Sequence, residues 1–308
     1  MRAPAGLAAA PAYNPWLAIL QLVTVGTLWG ATFSIAKLAI TQGVPPLGYG
    51  FWQSTGSGLV LLAILALRRE RLPLSRRHLL FYLMTGGLGI ALANVNFYIT
   101  IQFVPAGVMA VVITTAPIMT FVLALLFGLE AWRWQRVAGL LLGLAGVLML
   151  VLPSATAGDD LSFWIILGFI TPLAYSINAI LTARLRPAGG SALSYACGMM
   201  LCAGLLQGPV MLAAGQAWAP GWPLGLPELA IALQVAISAS AYVVFFHLVR
   251  VAGPVYFSQV GYVVTLTGLC WGFLLFDERL EATVYLATLV IFAGLALVNA
   301  TAARRRAA

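Results

Sequence analysis

The chain has 308 residues, of which 62% are hydrophobic and 8% charged, and a mean hydropathy of +1.00. A soluble domain carries about 25% charged residues, so this composition cannot coat a water-facing surface. It points to one integral-membrane helical domain, and its unbroken apolar runs exclude an alternating β-barrel. The formal charge of +8 would suit nucleic acid, but the basic residues sit between apolar runs, where orientation signals belong, so no nucleic-acid partner is expected.

A membrane span needs about 20 apolar residues. Ten segments qualify: 16–36, 47–67, 79–101, 104–128, 134–152, 161–182, 191–214, 228–249, 254–276 and 282–303. No small-residue cleavage pattern follows the first, so it is expected to be a span and not a removed signal peptide. It offers Thr24, Thr27 and Trp29. The third spaces Asn94, Tyr98 and Gln102 four apart on one helical ridge. The fourth carries Thr114, Thr115 and a central Pro117, and stops at Glu130. The fifth holds Gly139, Gly143 and Gly146, spaced for close helix approach. The sixth aligns Thr171, Tyr175 and Asn178. The connection 215–227 is the longest, and its Trp218 and Trp222 suit interfacial anchors. Ser238 and Tyr242 are four apart in the eighth span; Ser258, Tyr262 and Thr265 mark the ninth. Cys197, Cys202 and Cys270 lie inside apolar runs, so neither a disulfide nor a metal site is expected.

With a cytoplasmic N-terminus, ten spans leave only Lys37 and Arg279 outside and put the other 14 of 16 basic residues in the cytoplasm. That bias predicts that both termini are cytoplasmic. At an offset of 148 residues landmarks recur in order: Phe97 with Phe245, Val-Pro-Ala-Gly at 104–107 with Ala-Gly-Pro at 252–254, Glu130 with Glu278, and Ala145-Gly146 with Ala293-Gly294. Only seven positions between 97 and 151 are identical, so the signal lies in landmark order. The offset spans five helices, an odd number, so the halves 1–152 and 153–308 are expected to insert as two five-helix inverted repeats of one membrane domain. Such repeats build many secondary transporters, with the solute site near the midplane and alternating access between the halves. Thr265 stands where the first repeat has Pro117, so the halves are not expected to bend alike.

No carboxylate falls in mid-span. Glu130 and Glu278 sit at helix ends near Arg133 and Arg279, where structural ion pairs are expected, and His78 and His247 sit near cytoplasmic ends. Proton coupling through a buried carboxylate is therefore not expected. No Ser-His, paired-Asp or HExxH pattern is present, so no enzyme, catalytic residue or cofactor is expected. The mid-span polar groups are neutral and must point inward, away from lipid. Each could join helices or face a solute. Thr24, Thr27, Thr114 and Ser238 suit the first role; Asn94, Tyr98, Tyr175, Asn178 and Tyr242 suit the second, because three helices place Asn or Tyr at comparable depth. Gln53, Gln234 and Gln259 fit either role. Trp164 and Trp271 could stack on a solute or sit at the lipid boundary, and Pro117 is a candidate hinge whose bland alternative is a static kink. A cavity of amides, hydroxyls and rings without fixed charge suits an amphipathic neutral or zwitterionic solute.

The sequences TLWGATFSIAKL (27–38), APIMTFVLALLFGLE (116–130) and GLLLGLAGVLML (139–150), in this order, resemble the ten-helix EamA-type members of the drug/metabolite transporter superfamily, and among them the YddG-type exporters of aromatic amino acids. The resemblance covers essentially the whole chain. It implies a multi-pass protein of the bacterial inner membrane, with the lipid bilayer and small molecules as partners, that exports aromatic and other neutral amino acids. It also implies that the first helix faces the centre, which makes Trp29 a substrate-binding candidate. A multidrug or other metabolite exporter is the alternative on the same fold, and a lipid scramblase the alternative of another class. Oligomeric state is not legible in the sequence.

Overall fold

In lipid a segment must satisfy its own backbone, and here each expected span coincides with helix. The computed structural model describes residues 15–130, 132, 134–156, 161–277 and 281–306. Four helices run uninterrupted through the bundle centre: α1 (Pro15–Thr41), α2 (Pro46–Leu67), α10 (Ala192–Ala213) and α11 (Leu226–Ala252). The rest of the central bundle is broken. The third segment comprises α3 (Arg76–Met84), a π-helical turn (Thr85–Ala91) and α4 (Leu92–Thr100). The fourth divides into α5 (Ala106–Ile113) and α6 (Ala116–Leu126). The sixth divides into α8 (Leu161–Gly168) and α9 (Ile170–Leu185), and the ninth into α12 (Pro254–Ser258) and α13 (Val260–Phe276). The pair α7 (Trp134–Thr156) and α14 (Ala282–Arg306) completes the set. Among the described residues eight stretches are long and apolar enough to cross a membrane; they comprise α1 to α6 and α8 to α13, with broken helices joined.

Each break has a local cause. Pro117 sits in the first turn of α6, where its missing N–H is harmless to α6 but leaves the Ile113 carbonyl without its helical donor. Thr114 and Thr115 tighten the break, their N–H groups donating three residues back to Val111 and Val112. Pro172 starts α9 in the same way. The turn between α11 and α12 needs Gly253, whose φ of +89° is open to few other residues. Gly128 ends α6 at φ +65°, with Leu129 N–H donating to the Ala124 carbonyl, a C-terminal cap that leaves Glu130 just past the helix.

Packing is reciprocal between the two halves. In the first, α1 lies against α11 and α13; in the second, α9 lies against the π turn, α4 and α6. α5 meets α13 as α12 meets α6, and α2 meets α11 as α10 meets the π turn. α2 also packs on α10, and α7 on α14. Small residues permit the closest approaches. A Cβ at Gly294 of α14 would lie 2.5 Å from the Gly139 carbonyl oxygen and 2.6 Å from the Gly143 nitrogen of α7. A Cβ at Gly89 of the π turn would lie 2.5 Å from Cβ and Cγ of Asn178.

Candidate functional site: a charge-free central cavity

The breaks in α5/α6 and α12/α13 face each other. Ile113 and Gly261, 148 residues apart in sequence, meet there: a Cβ on Gly261 would stand 3.7 Å from the Ile113 carbonyl oxygen and from Pro117 Cδ. A cavity opens beside this contact, bounded by α1, α2, α4, α5, α6, α9, α11, α12 and α13. It offers about 100 Å³ to the centres of water molecules, room for several waters. Among the described residues lining it there is no Asp, Glu, Lys, Arg or His.

All six side chains expected to face a solute line this one cavity: Trp29, Asn94, Tyr98, Tyr175, Asn178 and Tyr242. Their polar ends differ in engagement. Asn94 Nδ2 donates to Gln53 Oε1 (2.6 Å) and Ser54 Oγ (3.2 Å), and the Tyr98 hydroxyl donates to the same Gln53 oxygen (3.0 Å). Gln53 Nε2 donates to Ser238 Oγ at 2.8 Å, and Gln207 Nε2 to Ser54 Oγ at 3.1 Å. Through Gln53 and Ser54, α2 is thus tied to α4, α10 and α11 by one buried amide and hydroxyl network. Asn94 and Tyr98 therefore do both jobs considered for them: they line the cavity and they join helices.

Aromatic rings also line the cavity. Trp29 lies 5.4 Å from Tyr242, centroid to centroid, and 5.9 Å edge-on from Phe257; Phe257 lies 4.8 Å from Phe245. Phe33 meets Phe97 at 5.3 Å, and Phe97 meets Tyr98 at 5.2 Å. Such tilted and edge-on pairs are favourable and hold each ring in place. α6 and α9 are joined by Thr120 Oγ1 donating to Ser176 Oγ at 3.0 Å and Ser176 Oγ bonding the Ala116 carbonyl at 3.0 Å.

Other expectations fall elsewhere. Gln102 is exposed beyond the end of α4 and its Nε2 donates to the Ile99 carbonyl at 3.1 Å. Thr24 and Thr27 are exposed, Thr27 bonding the Val23 carbonyl of its own helix. Thr171 donates to Asn96 Oδ1 at 2.7 Å, and Thr114 bonds the Val111 carbonyl. Trp164 stacks on Phe103 at 3.9 Å, away from the cavity, and Trp271 is exposed. The Trp218 carbonyl accepts from Trp52 Nε1 at 2.7 Å, while Trp222 is 88% exposed, as an interfacial anchor would be. Glu130 stands past the Gly128 cap, off the cavity; Arg133, Glu278 and Arg279 lie outside the described residues.

Gln53, which the sequence left between the two roles, forms the junction of the polar network with Ser54 and Gln207, and the sequence singled out neither of those two. Their only advance signal is an amide or hydroxyl in an apolar run. Which partner each meets depends on how α2 sits between α10 and α11.

Residues 16–152 match the model of the EamA-like transporter family. The chain is 29% identical over 282 residues to the inner membrane transporter YedA of Escherichia coli (strain K12), itself uncharacterised, covering 88% of this chain and 87% of YedA. It is 27% identical over 283 residues to the protein PecM of Dickeya dadantii (strain 3937), covering 88% and 89% of the two chains. A solved crystal structure with 19% sequence identity shares the fold, with a TM-score of 0.64 over 92% of this chain and 98% of the other. The first half of the chain is thus similar to EamA-like transporters, and most of its length to a transporter of the inner membrane.

Proposed function

We propose that this chain, similar in its first half to EamA-like transporters and over most of its length to an inner membrane transporter, exports an amphipathic metabolite across the bacterial inner membrane. The solute class is neutral or zwitterionic, with aromatic and other neutral amino acids foremost. The observation that carries this reading is the cavity: it is lined by rings, amides and hydroxyls, with no fixed charge among its described lining residues. Apolar walls hold a side chain while a few polar groups orient its head. A phosphorylated solute would call for Arg or Lys at the site.

The same proposal includes ten spans, both termini in the cytoplasm, and two inverted five-helix repeats, 1–152 and 153–308. The reciprocal packing of α1 and α9, and the meeting of Ile113 with Gly261 at the breaks, support the repeat reading. Alternating access follows if the halves exchange conformations about that contact. Pro117 is the proposed hinge, because its break leaves α5 and α6 free to reorient. Without a lining carboxylate, transport runs down the solute gradient or by exchange.

Flux tests the reading. Purified protein in vesicles should take up labelled tryptophan or leucine saturably and exchange it for unlabelled solute. Redistribution of labelled lipid without solute flux would assign the chain to the scramblase class instead.

A further inference from the structure

The cavity carries no charge among its described lining residues, so a solute with a charged end meets its first charged partner elsewhere. Just past the end of α9, Arg186 is half-buried and reaches both neighbouring helices. Its guanidinium carbon lies 5.5 Å from the centroid of the Tyr195 ring of α10, and its Nη1 donates to the Phe246 carbonyl of α11 at 3.4 Å. The ring beneath it is held still. The Tyr195 hydroxyl donates to the Pro187 carbonyl and accepts from Gly190 N–H at 3.0 Å, and the ring meets Phe81 at 5.5 Å and Phe246 at 5.8 Å. Phe246 in turn meets Phe245 at 5.0 Å, and Phe245 lines the cavity. Arg186 therefore bonds the backbone of a residue adjacent to a lining one.

One long hydrogen bond and one ring face leave most of the five guanidinium donors unspent. Among the described residues neither Arg186 nor the exposed Arg250 pairs with a carboxylate. Glu70, at the same end of the bundle, accepts from Ser191 Oγ at 2.8 Å. Burial holds the Arg186 guanidinium below its ordinary range; Tyr195 opposes that shift and the charge of Arg250 adds to it. Two cations that feel each other, with no acid paired to either, attract an oxyanion. A guanidinium fixed on a ring suits a carboxylate in particular, because its planar fork offers two parallel N–H bonds.

We infer that Arg186, supported by the charge of Arg250, forms a loading site outside the cavity, and that its ligand is the carboxylate of the solute. This rests on the function proposed above, which supplies the solute and the orientation: with both termini in the cytoplasm, Arg186 stands at the end from which an exporter loads. A lipid phosphate shares the chemistry, but Arg186 is bonded inward, to the carbonyl of the fully buried Phe246.

Two readouts test the site. In vesicles that present the cytoplasmic end outward, Arg186→Gln should raise the KM for labelled tryptophan about tenfold and leave kcat nearly unchanged. It should not raise the KM for tryptamine, which lacks the carboxylate, and Arg186→Lys should recover part of the loss. In the purified full chain, tryptophan and indole-3-propionate should slow the reaction of Arg186 with phenylglyoxal, read by peptide mass spectrometry, and tryptamine should not. An equal rise in KM for tryptophan and tryptamine would reduce Arg186 to a latch on Tyr195 and overturn the inference. Protection of Arg186 by phosphatidylglycerol and not by tryptophan would give the site to a lipid headgroup and overturn it too. Protection by tryptophan without flux keeps the carboxylate site and sinks the transport reading. Flux with neither the KM effect nor protection does the reverse.

Discussion

Gln53 ties three side chains of two other helices together at the cavity. Its oxygen accepts from Asn94 and Tyr98 of α4, and its nitrogen donates to Ser238 of α11. Replacing it with Leu leaves two buried donors without their shared acceptor, at about 1–3 kcal/mol each. Gln53→Leu should lower the melting temperature in detergent by several degrees. Gln53→Leu combined with Asn94→Leu should cost less than the two single changes added together, because each already breaks the same bond. Strict additivity would show that the network does not act as a unit. Trp29 contrasts with Gln53, since its ring lines the cavity against Tyr242 and Phe257 and anchors no amide network. Trp29→Ala should reduce tryptophan flux about tenfold or more while leucine flux falls less; an equal loss for both solutes would mean that Trp29 supports packing and not recognition.

At the scale of the element, helix breaks position the site, and they were unequally legible. Pro117 announces the α5/α6 break because proline cannot donate to the carbonyl four residues back. The π turn Thr85–Ala91 gives no such warning: its glycines permit it, and Asn178 packed against Gly89 accompanies it. The α12/α13 break at Gln259 falls three residues short of the position the repeat offset assigns from Thr114, which no landmark disclosed. Thr265, 148 residues after Pro117, bonds the Ala110 carbonyl of α5 at 2.8 Å and so joins the two broken helices. Pro117→Ala restores a donor for the Ile113 carbonyl. It should raise or preserve thermal stability yet slow solute exchange, whereas unchanged exchange would reduce Pro117 to a static kink. Gly294→Leu is expected to act on stability, since even its Cβ would meet the Gly139 carbonyl at 2.5 Å. Overpacking of this kind costs about 1–3 kcal/mol or more. A lower melting temperature with unaltered relative rates among solutes would fit a scaffold role for α7 and α14.

For the whole molecule, the spans and the lining of the cavity were the most legible features, for one physical reason. An amide or phenol facing lipid is costly, so Asn94, Tyr175, Asn178 and Tyr242 could be assigned to the interior from their place in apolar runs; Thr24 and Thr27 are exposed instead, Thr27 bonding the Val23 carbonyl of its own helix. The partners they meet there were not legible, because a register between helices decides whether Asn94 finds Gln53 or a solute. Gln102 shows the limit of periodicity: it shares a ridge with Asn94 and Tyr98, but α4 ends at Thr100 and leaves it exposed. Orientation is a further prediction at this scale. Reporter fusions should place both termini in the cytoplasm, and a periplasmic C-terminus would rule out ten spans. A pH gradient alone, with no solute gradient, should drive no accumulation in vesicles.

The central claim is that solute passes through the charge-free cavity between the two halves. Counterflow of labelled tryptophan or leucine into preloaded vesicles tests it most directly, comparing the unaltered chain with the Trp29→Leu, Tyr242→Leu double variant at equal folded protein. The account predicts saturable counterflow in the unaltered chain and a loss of about tenfold or more in the variant, with lipid distribution unchanged in both. Equal counterflow in the two proteins would place the pathway elsewhere and contradict the account.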